Sequence, residues 1–329
     1  MTMKKKYSCF ALFSGGLDSQ LAVLYMHKLG YSVQPIFFET PFFKADNARK
    51  ATSEIGFELI VIDVTEQHLQ MLKNPRYGFG KNMNPCIDCH GLMFKEAGKM
   101  MPEYQMDFLI SGEVLGQRPM SQRKDAMNAV GKLSEVKDLL IRPLTQKLLT
   151  DTKPIREGWV KKEEMLDIQG RGRTRQLEMA KEFGIKEYQS PGGGCLLTDI
   201  GYSRKLKDLM QFDMLETSFL SFLAIGRHFR LNDEVKMIVG RNDSDNEKLG
   251  KLCTSEIVFQ SADFPGPLGV AQSRRKLDKE EIELAASLLL RYNSKIKGRW
   301  KVNFGLNFQL VNQIETEKMR PEEAEKMLI

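Results

Sequence analysis

The first part of the chain alternates short apolar runs with longer amphipathic ones. Apolar runs predict strands over residues 7–13, 33–38, 57–64, 106–111 and 139–142. Between the first three, helices are predicted over 19–29 and 42–55, each followed by a glycine that ends it. Strands that alternate with helices indicate βαβ units. The pattern therefore predicts an α/β fold with a parallel sheet covered by helices on both faces.

The pattern changes near residue 200. Residues 147–187 are charged and predict a mostly helical extension of the first domain. Beyond it, residues 235–243 predict a strand that ends in a turn, and residues 279–292 predict an amphipathic helix, with a proline- and glycine-rich loop over 262–269 between them. We expect a nucleotide-binding domain over 1–200 and a smaller α+β domain over 201–329.

Composition narrows the class of protein. The chain has 329 residues, of which 42% are hydrophobic and 28% charged, as in ordinary soluble proteins of one or two domains. The apolar runs are too short to span a bilayer, and the N-terminus lacks the pattern of a secretion signal. We expect a cytoplasmic protein without a membrane partner. Five cysteines, an odd number, do not indicate a disulfide scaffold.

The first predicted strand runs into the loop Ser14-Gly15-Gly16-Leu17-Asp18-Ser19. A glycine turn before a helix exposes backbone N–H groups, and the helix N-terminus adds positive potential, so this loop suits a phosphate group. Ser14 and Ser19 add hydroxyl donors, and Asp18 suits a Mg²⁺ bridge. No lysine follows as in a Walker loop. The structural alternative is a turn in which serine and aspartate cap the helix.

Three cysteines form a second candidate site. Cys86 and Cys89 have CxxC spacing ahead of a helix predicted over 92–101, and Cys195 follows three glycines. Zinc would need a fourth ligand, for which His90 is the nearest choice. Three thiolates suit a 4Fe–4S cluster with one open iron, whereas a persulfide relay needs only two cysteines. The alternative is an incidental pair of small core residues.

The other two cysteines and an arginine cluster complete the candidates. Cys9 and Cys253 are expected to be buried apolar residues. The net charge of +6 is compatible with a nucleic-acid partner without establishing one. Arginine guanidinium groups suit phosphate oxygens, so three closely spaced arginines are candidate RNA contacts, although a solvated helix start explains them too. These are Arg171, Arg173 and Arg175.

The hexapeptide 14–19, placed after an apolar N-terminal strand, resembles the signature of the PP-loop ATP pyrophosphatases. The resemblance covers roughly residues 7–200. It implies that Ser14, Gly15, Gly16, Asp18 and Ser19 bind the pyrophosphate of ATP with Mg²⁺, while a substrate oxygen attacks the α-phosphate. The superfamily includes amide-forming synthetases and tRNA thiolases, and the loop does not separate them.

The cysteine pattern resembles tRNA thiouridine synthases of the MnmA, TtuA and ThiI types. The MnmA pattern would make Cys89 and Cys195 the functional pair, with Cys86 extra. The TtuA and TtcA pattern implies a 4Fe–4S cluster on all three cysteines, and this interpretation is favoured over persulfide chemistry and structural zinc. The stretch Ile110-Ser111-Gly112-Glu113 departs from both patterns, because Glu113 stands where they have histidine. Residues 237–249 weakly resemble the RNA-associated NFACT-R module.

These resemblances imply an ATP-dependent tRNA sulfurtransferase that adenylates a uridine carbonyl oxygen and replaces it with sulfur. Its catalytic residues would be Asp18, Cys89 and Cys195. The expected partners are tRNA and a sulfur donor, either a protein or inorganic sulfide, with a homodimer left open. The alternatives are a PP-loop amide ligase or small-molecule sulfur transferase, and a non-enzymatic RNA-binding module with a degenerate nucleotide fold.

Overall fold

The chain divides into two compact units, Met1–Thr198 and Asp199–Ile329. The structure is a computed structural model that describes residues 6–188, 195–295 and 297–329. The glycines predicted to form a loop before Cys195 lie outside the described residues. None of the described helices is both long enough and apolar enough to cross a membrane.

Among the described residues, the first unit is built on a five-stranded parallel sheet. Its strands and helices, in chain order, are β1 (Ser8–Leu12), α1 (Leu17–Lys28), β2 (Ser32–Glu39), α2 (Asp46–Glu54), β3 (Ile60–Asp63), α3 (Thr65–Lys73), α4 (Cys86–Met100), β4 (Phe108–Ser111), α5 (Lys124–Ser134), β5 (Leu140–Ile141), α6 (Lys153–Arg156) and α7 (Thr174–Glu182). The strand order in the sheet is β3-β2-β1-β4-β5. Short 3₁₀ turns occupy Lys137–Leu139, Gln146–Leu148, Lys162–Glu164 and Leu196–Thr198.

Alternate residues of β1 enter different hydrophobic clusters, as the two faces of a strand require. Cys9 and Ala11 pack in a cluster that includes residues of α1 and α2. Phe10 packs in another cluster that includes residues of α4 and α5. The sheet is therefore covered on both faces, which confirms the predicted α/β class. Cys9 is fully buried, as expected.

Two elements differ from their predictions. Helix α4 begins at Cys86, six residues before the predicted start at 92, so the CxxC pair lies inside its first turns. The segment 147–187 was predicted to be mostly helical, but α6 and α7 cover only a small part of it. Its charged residues pair with one another across turns, as Lys162 does with Asp151, so a charged segment here does not require a helix.

The second unit is built, in its described part, on a six-stranded antiparallel sheet. Its elements, in chain order, are α8 (Ile200–Gln211), α9 (Thr217–Leu220), β6 (Arg227–Arg230), β7 (Lys236–Val239), α10 (Asp243–Leu252), β8 (Ile257–Ser261), β9 (Gly269–Gln272), α11 (Lys279–Arg291), β10 (Trp300–Leu306), β11 (Asn312–Thr316) and α12 (Pro321–Met327). The strand order is β11-β10-β8-β9-β7-β6, and the hydrophobic core includes residues of α11. This is the predicted α+β domain, and Cys253 is buried within it, as expected.

Candidate active site

The loop of residues 14–19, called the PP-loop below, connects the end of β1 to the start of α1. Gly15 has a φ of +78°, and a side chain there would approach the carbonyl oxygen of Asn47 to 2.9 Å, so the turn requires glycine. The N-cap of α1 is Gly16, and no side chain caps the helix. The alternative in which serine or aspartate caps this helix is therefore wrong. The uncapped N-terminus leaves its backbone donors for an anion.

The two serines of the loop are held close together. The hydroxyl of Ser19 donates to the carbonyl oxygen of Gly16 at 2.8 Å and lies 3.4 Å from the hydroxyl of Ser14. The buried side-chain amide of Gln20 donates a hydrogen bond to the carbonyl oxygen of Gly15 at 3.0 Å, which holds the turn in place. Both serine hydroxyls therefore stand at the helix N-terminus, where they can add to its anion-binding groups.

Asp18 is held by a chain of polar side chains from later in the sequence. The amide of Gln117 donates to Oδ2 of Asp18 at 2.6 Å, and the amide of Gln176 donates to Oε1 of Gln117 at 3.0 Å. Nη2 of Arg173 lies 3.5 Å from the same Oδ2. The other oxygen, Oδ1, is buried and has no hydrogen-bond partner among the described groups. A buried, unpaired carboxylate oxygen suits a Mg²⁺ ligand.

All three candidate cysteines line the same cavity as the PP-loop. The cavity has a volume of about 560 Å³. Ser14, Gly16, Asp18 and Ser19 line it together with Cys86, Cys89 and Cys195, whereas Gly15 shapes the turn without lining it. The structure therefore joins the two sequence motifs in one site, over a separation of more than a hundred residues between Cys89 and Cys195.

The thiols are held in their neutral form. Burial raises the pKa of Cys86, Cys89 and Cys195 above the usual range, and neighbouring thiols raise that of Cys89 further. The Asn84 amide oxygen, which accepts a 2.6 Å hydrogen bond from Cys86, and the charge of Arg118 act in the opposite direction on Cys86. Because thiolates are the reactive form, these cysteines need a further charge or a bound sulfur to become reactive.

The thiols do not form a ready metal site. Within residues 6–188, 195–295 and 297–329, no group of three or more His, Cys, Asp or Glu side chains is arranged to hold a metal ion. Three thiols on one cavity are nevertheless the donor types that an iron–sulfur cluster requires. Because the donors suit a cluster but are not arranged around a metal position, the cluster stays a prediction.

Glu113, where the related patterns have histidine, organises a buried polar network at the end of β4. Its carboxylate accepts hydrogen bonds from Nε of Arg142 at 2.7 Å and from the hydroxyl of Ser111 at 3.2 Å, and it lies 3.1 Å from Nδ1 of His90. Burial by itself would raise the pKa of Glu113, but the charge of Arg142 and the hydrogen bond with His90 hold it at about 2. The network fixes the His90 ring beside Cys89 on the cavity wall.

This network was missed in the sequence because its members are far apart along the chain. Glu113 follows β4 and Arg142 follows β5. One signal was available: both residues lie at or just after the end of a predicted strand. Because the carboxyl ends of parallel strands share one edge of the sheet, their side chains could be expected to meet there. The ligand site of an open α/β sheet lies at that edge.

We expect Glu113→Gln to lower the free energy of unfolding of the first unit by about 3 kcal/mol at pH 7, because it leaves the buried Arg142 unpaired. The folded-state pKa of Glu113 lies below the ordinary value of 4.5, so its stabilisation is present above pH 4.5 and is lost as the pH falls toward 2. The difference between variant and wild type should shrink over that window. Urea unfolding at several pH values measures it.

Glu187→Gln is the matched control, because Glu187 pairs with Lys50 at an exposed position in the same unit. Exposed pairs contribute about 0–1 kcal/mol. Equal stability of the two variants at pH 7 would contradict the buried network.

The three arginines of the predicted RNA-binding cluster are placed differently from one another. Arg171 and Arg175 are exposed, and Arg175 pairs with Asp167. The side chain of Arg173 is only 17% exposed and lies against Asp18, with its Nε buried and unpartnered among the described groups. Arg173 therefore faces the PP-loop, while its two neighbours face solvent.

Comparisons with known proteins match the two parts of the chain separately. Residues 5–147 match the family model described as "Thiamine biosynthesis protein (ThiI)". Residues 226–328 match the model described as "NFACT protein RNA binding domain". The predicted resemblances to ThiI-type proteins and to the NFACT-R module are thus confirmed, the second over a much longer stretch than the residues that suggested it.

A curated relative is the probable tRNA sulfurtransferase of Thermococcus kodakarensis. It is 30% identical over 141 residues, which are 41% of this chain and 36% of the relative. The matched part thus spans about a third of the relative's own length.

Two solved structures have lower similarity. One, described as a 4-thiouridine synthetase–RNA complex with bound ATP, is 23% identical with a TM-score of 0.37 and covers 56% of this chain and 43% of its own. The other, described as a predicted subunit of a tRNA methyltransferase from Methanocaldococcus jannaschii, is 15% identical with a TM-score of 0.34 and covers 54% of this chain and 76% of its own.

Proposed function

We propose that this chain, with its ThiI-type segment and its NFACT-R-type segment, is an ATP-dependent tRNA sulfurtransferase that converts a uridine carbonyl into a thiocarbonyl. The observation that carries the proposal is the single cavity lined by both the PP-loop and the three thiols. An activated oxygen and a sulfur nucleophile would meet there. The relative that is a probable tRNA sulfurtransferase supports the substrate class, and the match to an RNA-binding domain supports an RNA partner.

The first step activates the uridine. Its carbonyl oxygen attacks the α-phosphorus of ATP, so an O–P bond forms while the bond from that phosphorus to the bridging oxygen breaks and pyrophosphate leaves. The open N-terminus of α1 and the hydroxyls of Ser14 and Ser19 would hold the pyrophosphate. Oδ1 of Asp18 would hold Mg²⁺, which neutralises phosphate charge.

The second step replaces oxygen by sulfur. A sulfur nucleophile adds to the activated carbon, the C–O bond breaks, and AMP leaves with the former carbonyl oxygen. AMP is a far better leaving group than oxide, which is the physical reason for ATP. Holding the sulfur and the activated carbon in one cavity supplies much of the rate by proximity.

In a persulfide relay, either Cys89 or Cys195 carries the persulfide, whose outer sulfur makes this attack. The thiolate of the other cysteine then attacks the inner sulfur, which breaks the S–S bond to the uridine sulfur and releases the thiouridine. The result is a disulfide between Cys89 and Cys195, which an external dithiol must reduce before another turnover. A donor of sulfane sulfur restores the persulfide.

A 4Fe–4S cluster is the other sulfur carrier, and Cys86, Cys89 and Cys195 would hold it. When bound, its open iron would supply a site for sulfide. Anaerobic purification or reconstitution, followed by iron and sulfide analysis, separates the two carriers. About four irons per chain, lost in Cys86→Ala, supports the cluster. Absence of both iron and zinc supports the relay.

The test of the proposed function is AMP release by the full chain with and without bulk tRNA, together with mass spectrometry of the tRNA nucleosides. We expect tRNA to stimulate AMP release and a thiouridine to form when a sulfur donor is present. Stimulation by a small molecule in place of tRNA would indicate an amide ligase or a small-molecule sulfur transferase. No AMP release under any condition would leave a non-enzymatic RNA-binding module.

Arg173 has a different expected role from its neighbours. We expect Arg173→Ala to weaken ATP binding roughly ten- to a hundredfold, because hydrogen bonds to charged groups contribute about 1.5–3 kcal/mol. Nη2 of Arg173 lies 3.5 Å from Oδ2 of Asp18, so the guanidinium places its positive charge beside the loop that is proposed to hold the phosphates. Calorimetric titration with ATP measures the loss.

Arg171→Ala is the control, since its exposed side chain should leave ATP binding unchanged while contributing to tRNA affinity, as predicted for the cluster. If Arg173→Ala weakens tRNA binding and leaves ATP binding intact, Arg173 belongs with the RNA contacts instead.

A further inference from the structure

Two loops of the first unit expose large apolar side chains next to basic ones. The first lies between α3 and α4 and the second between β4 and α5. Tyr77 and Phe79 of the first loop are 43% and 37% exposed, and Met120 of the second is 42% exposed. We call the exposed parts of residues 75–83 and 116–124 the rim surface.

The rim surface adjoins the cysteine end of the cavity. The two loops meet, since a side-chain carbon at Gly80 would lie 2.5 Å from the terminal methyl of Met120. Arg118 of the second loop lines the cavity, and its charge acts on Cys86. The first loop leads through Asn84 and Pro85, both of which line the cavity, directly into Cys86.

The first loop is firmly anchored to the turn that carries the cysteines. The backbone amides of Arg76 and Tyr77 donate to the carboxylate of Asp88 at 2.7 and 3.0 Å, and Asp88 is a buried residue of the first turn of α4. The amide of Gly80 donates to the carbonyl oxygen of Asn84 at 2.7 Å. The aromatic side chains are therefore presented by a backbone whose position is set relative to Cys86 and Cys89.

The charge of the rim surface has a single sign. Residues 75–83 and 116–124 contain Arg76, Lys81, Arg118, Arg123 and Lys124 and no acidic residue. The next residue, Asp125, pairs with Arg123, so the phosphate contacts are assigned to the other four cations. Exposed aromatic rings beside arginine and lysine form the combination that binds unpaired nucleotides, because rings stack on bases while cations contact phosphates. An acidic partner without bases would use the cations and leave the rings uncovered.

We propose that the rim surface binds the unstacked tRNA nucleotides that flank the target uridine, with a base stacked on Tyr77 or Phe79. The inference rests on the proposed function and names where its RNA substrate enters. A uridine must leave its stack to reach a cavity, which costs a few kcal/mol. Stacking of a flanking base on the rim surface offsets that cost and delivers the uridine to the end of the cavity where the cysteines lie.

The test compares the wild type with the double variant Tyr77→Ala/Phe79→Ala in tRNA affinity, in kcat/KM for tRNA and in ATP affinity. We expect kcat/KM for tRNA to fall roughly ten- to a hundredfold, as loss of base stacking does, with ATP affinity unchanged. The variant Tyr77→Phe/Phe79→Tyr keeps both rings and should retain wild-type values. The control Leu148→Ala/Leu177→Ala removes two comparably exposed apolar side chains from elsewhere in the same unit and should change neither constant.

The outcomes separate this inference from the proposed function. If the wild type thiolates tRNA and the alanine double variant is equally active, the proposed role of the rim surface is wrong and the proposed function is unaffected. Absence of thiouridine in the wild type overturns the function. If the wild type forms no thiouridine and the double variant also binds tRNA as tightly as the wild type does, the inference about the rim surface is wrong as well. A double variant with unchanged tRNA affinity and full activity with inorganic sulfide, but a defect with a protein sulfur donor, assigns the surface to that donor and overturns the RNA proposal.

Discussion

Replacing Cys89 or Cys195 by alanine is expected to reduce thiouridine formation by roughly a thousandfold or more, as removal of a covalent nucleophile does in other enzymes. Both thiols line the cavity that holds the PP-loop, and each carrier considered for the sulfur uses both of them. ATP affinity should stay at the wild-type value, because neither thiol is part of the turn that is proposed to bind phosphate. Nucleoside mass spectrometry and calorimetric titration with ATP measure the two quantities.

Cys253→Ala is the matched control, since it removes a buried thiol from the second unit. It should keep full activity. Cys86→Ala distinguishes the two sulfur carriers. If a 4Fe–4S cluster carries the sulfur, this variant should be as inactive as Cys89→Ala. If a persulfide relay carries it, the variant should keep most of its activity. If Cys89→Ala and Cys195→Ala both form thiouridine at the wild-type rate, the sulfur is carried elsewhere.

Gly112→Ala is expected to weaken ATP binding more than tenfold and to destabilise the first unit by about 1–3 kcal/mol. A methyl group at Gly112 would lie 2.6 Å from the amide nitrogen of Ser19 and would also meet the carbonyl group of Asp18. Both obstacles are backbone, so either the end of β4 or the start of α1 must shift. The backbone donors that are proposed to bind phosphate would move with α1. Calorimetric titration with ATP and urea unfolding test the two effects.

Gly172→Ala is the control for the same chemical change. A methyl group at Gly172 meets no heavy atom within 4 Å, and its backbone does not have a positive φ. Stability and ATP affinity should therefore stay close to wild type. Unchanged ATP affinity in Gly112→Ala would show that the contact between β4 and α1 does not position the PP-loop.

The five strands predicted for the first domain were recovered because each coincides with a mainly apolar stretch of the parallel sheet, although β3 is only half-buried and shorter than the stretch 57–64 predicted for it. Residues 33–38 were predicted as a strand and β2 is Ser32–Glu39. The start of α4 was misplaced because Pro85 and the CxxC pair carry no helical periodicity. Pro85 is tolerated as N-cap, where the missing N–H is no loss, and the amide of Cys89 donates to its carbonyl oxygen at 2.9 Å.

The segment 147–187 was predicted to be more helical than it is, because charge alone does not distinguish a helix from a set of anchored turns. Buried apolar residues there, such as Val160 and Met165, pack against the sheet from irregular backbone. Such packing depends on where the sheet lies, and a single sequence does not reveal it.

The sequence by itself predicted the PP-loop as the phosphate site, because the whole motif lies in six consecutive residues between one strand and one helix. It also identified Cys86, Cys89 and Cys195 as candidates by residue type and spacing. Only the tertiary structure decided that these thiols share one cavity with the loop, that Glu113 pairs with Arg142, and that Arg173 faces Asp18 while Arg171 faces solvent. These groups meet because parallel strands bring their carboxyl ends to one edge of the sheet, and distances across that edge do not depend on separation along the chain.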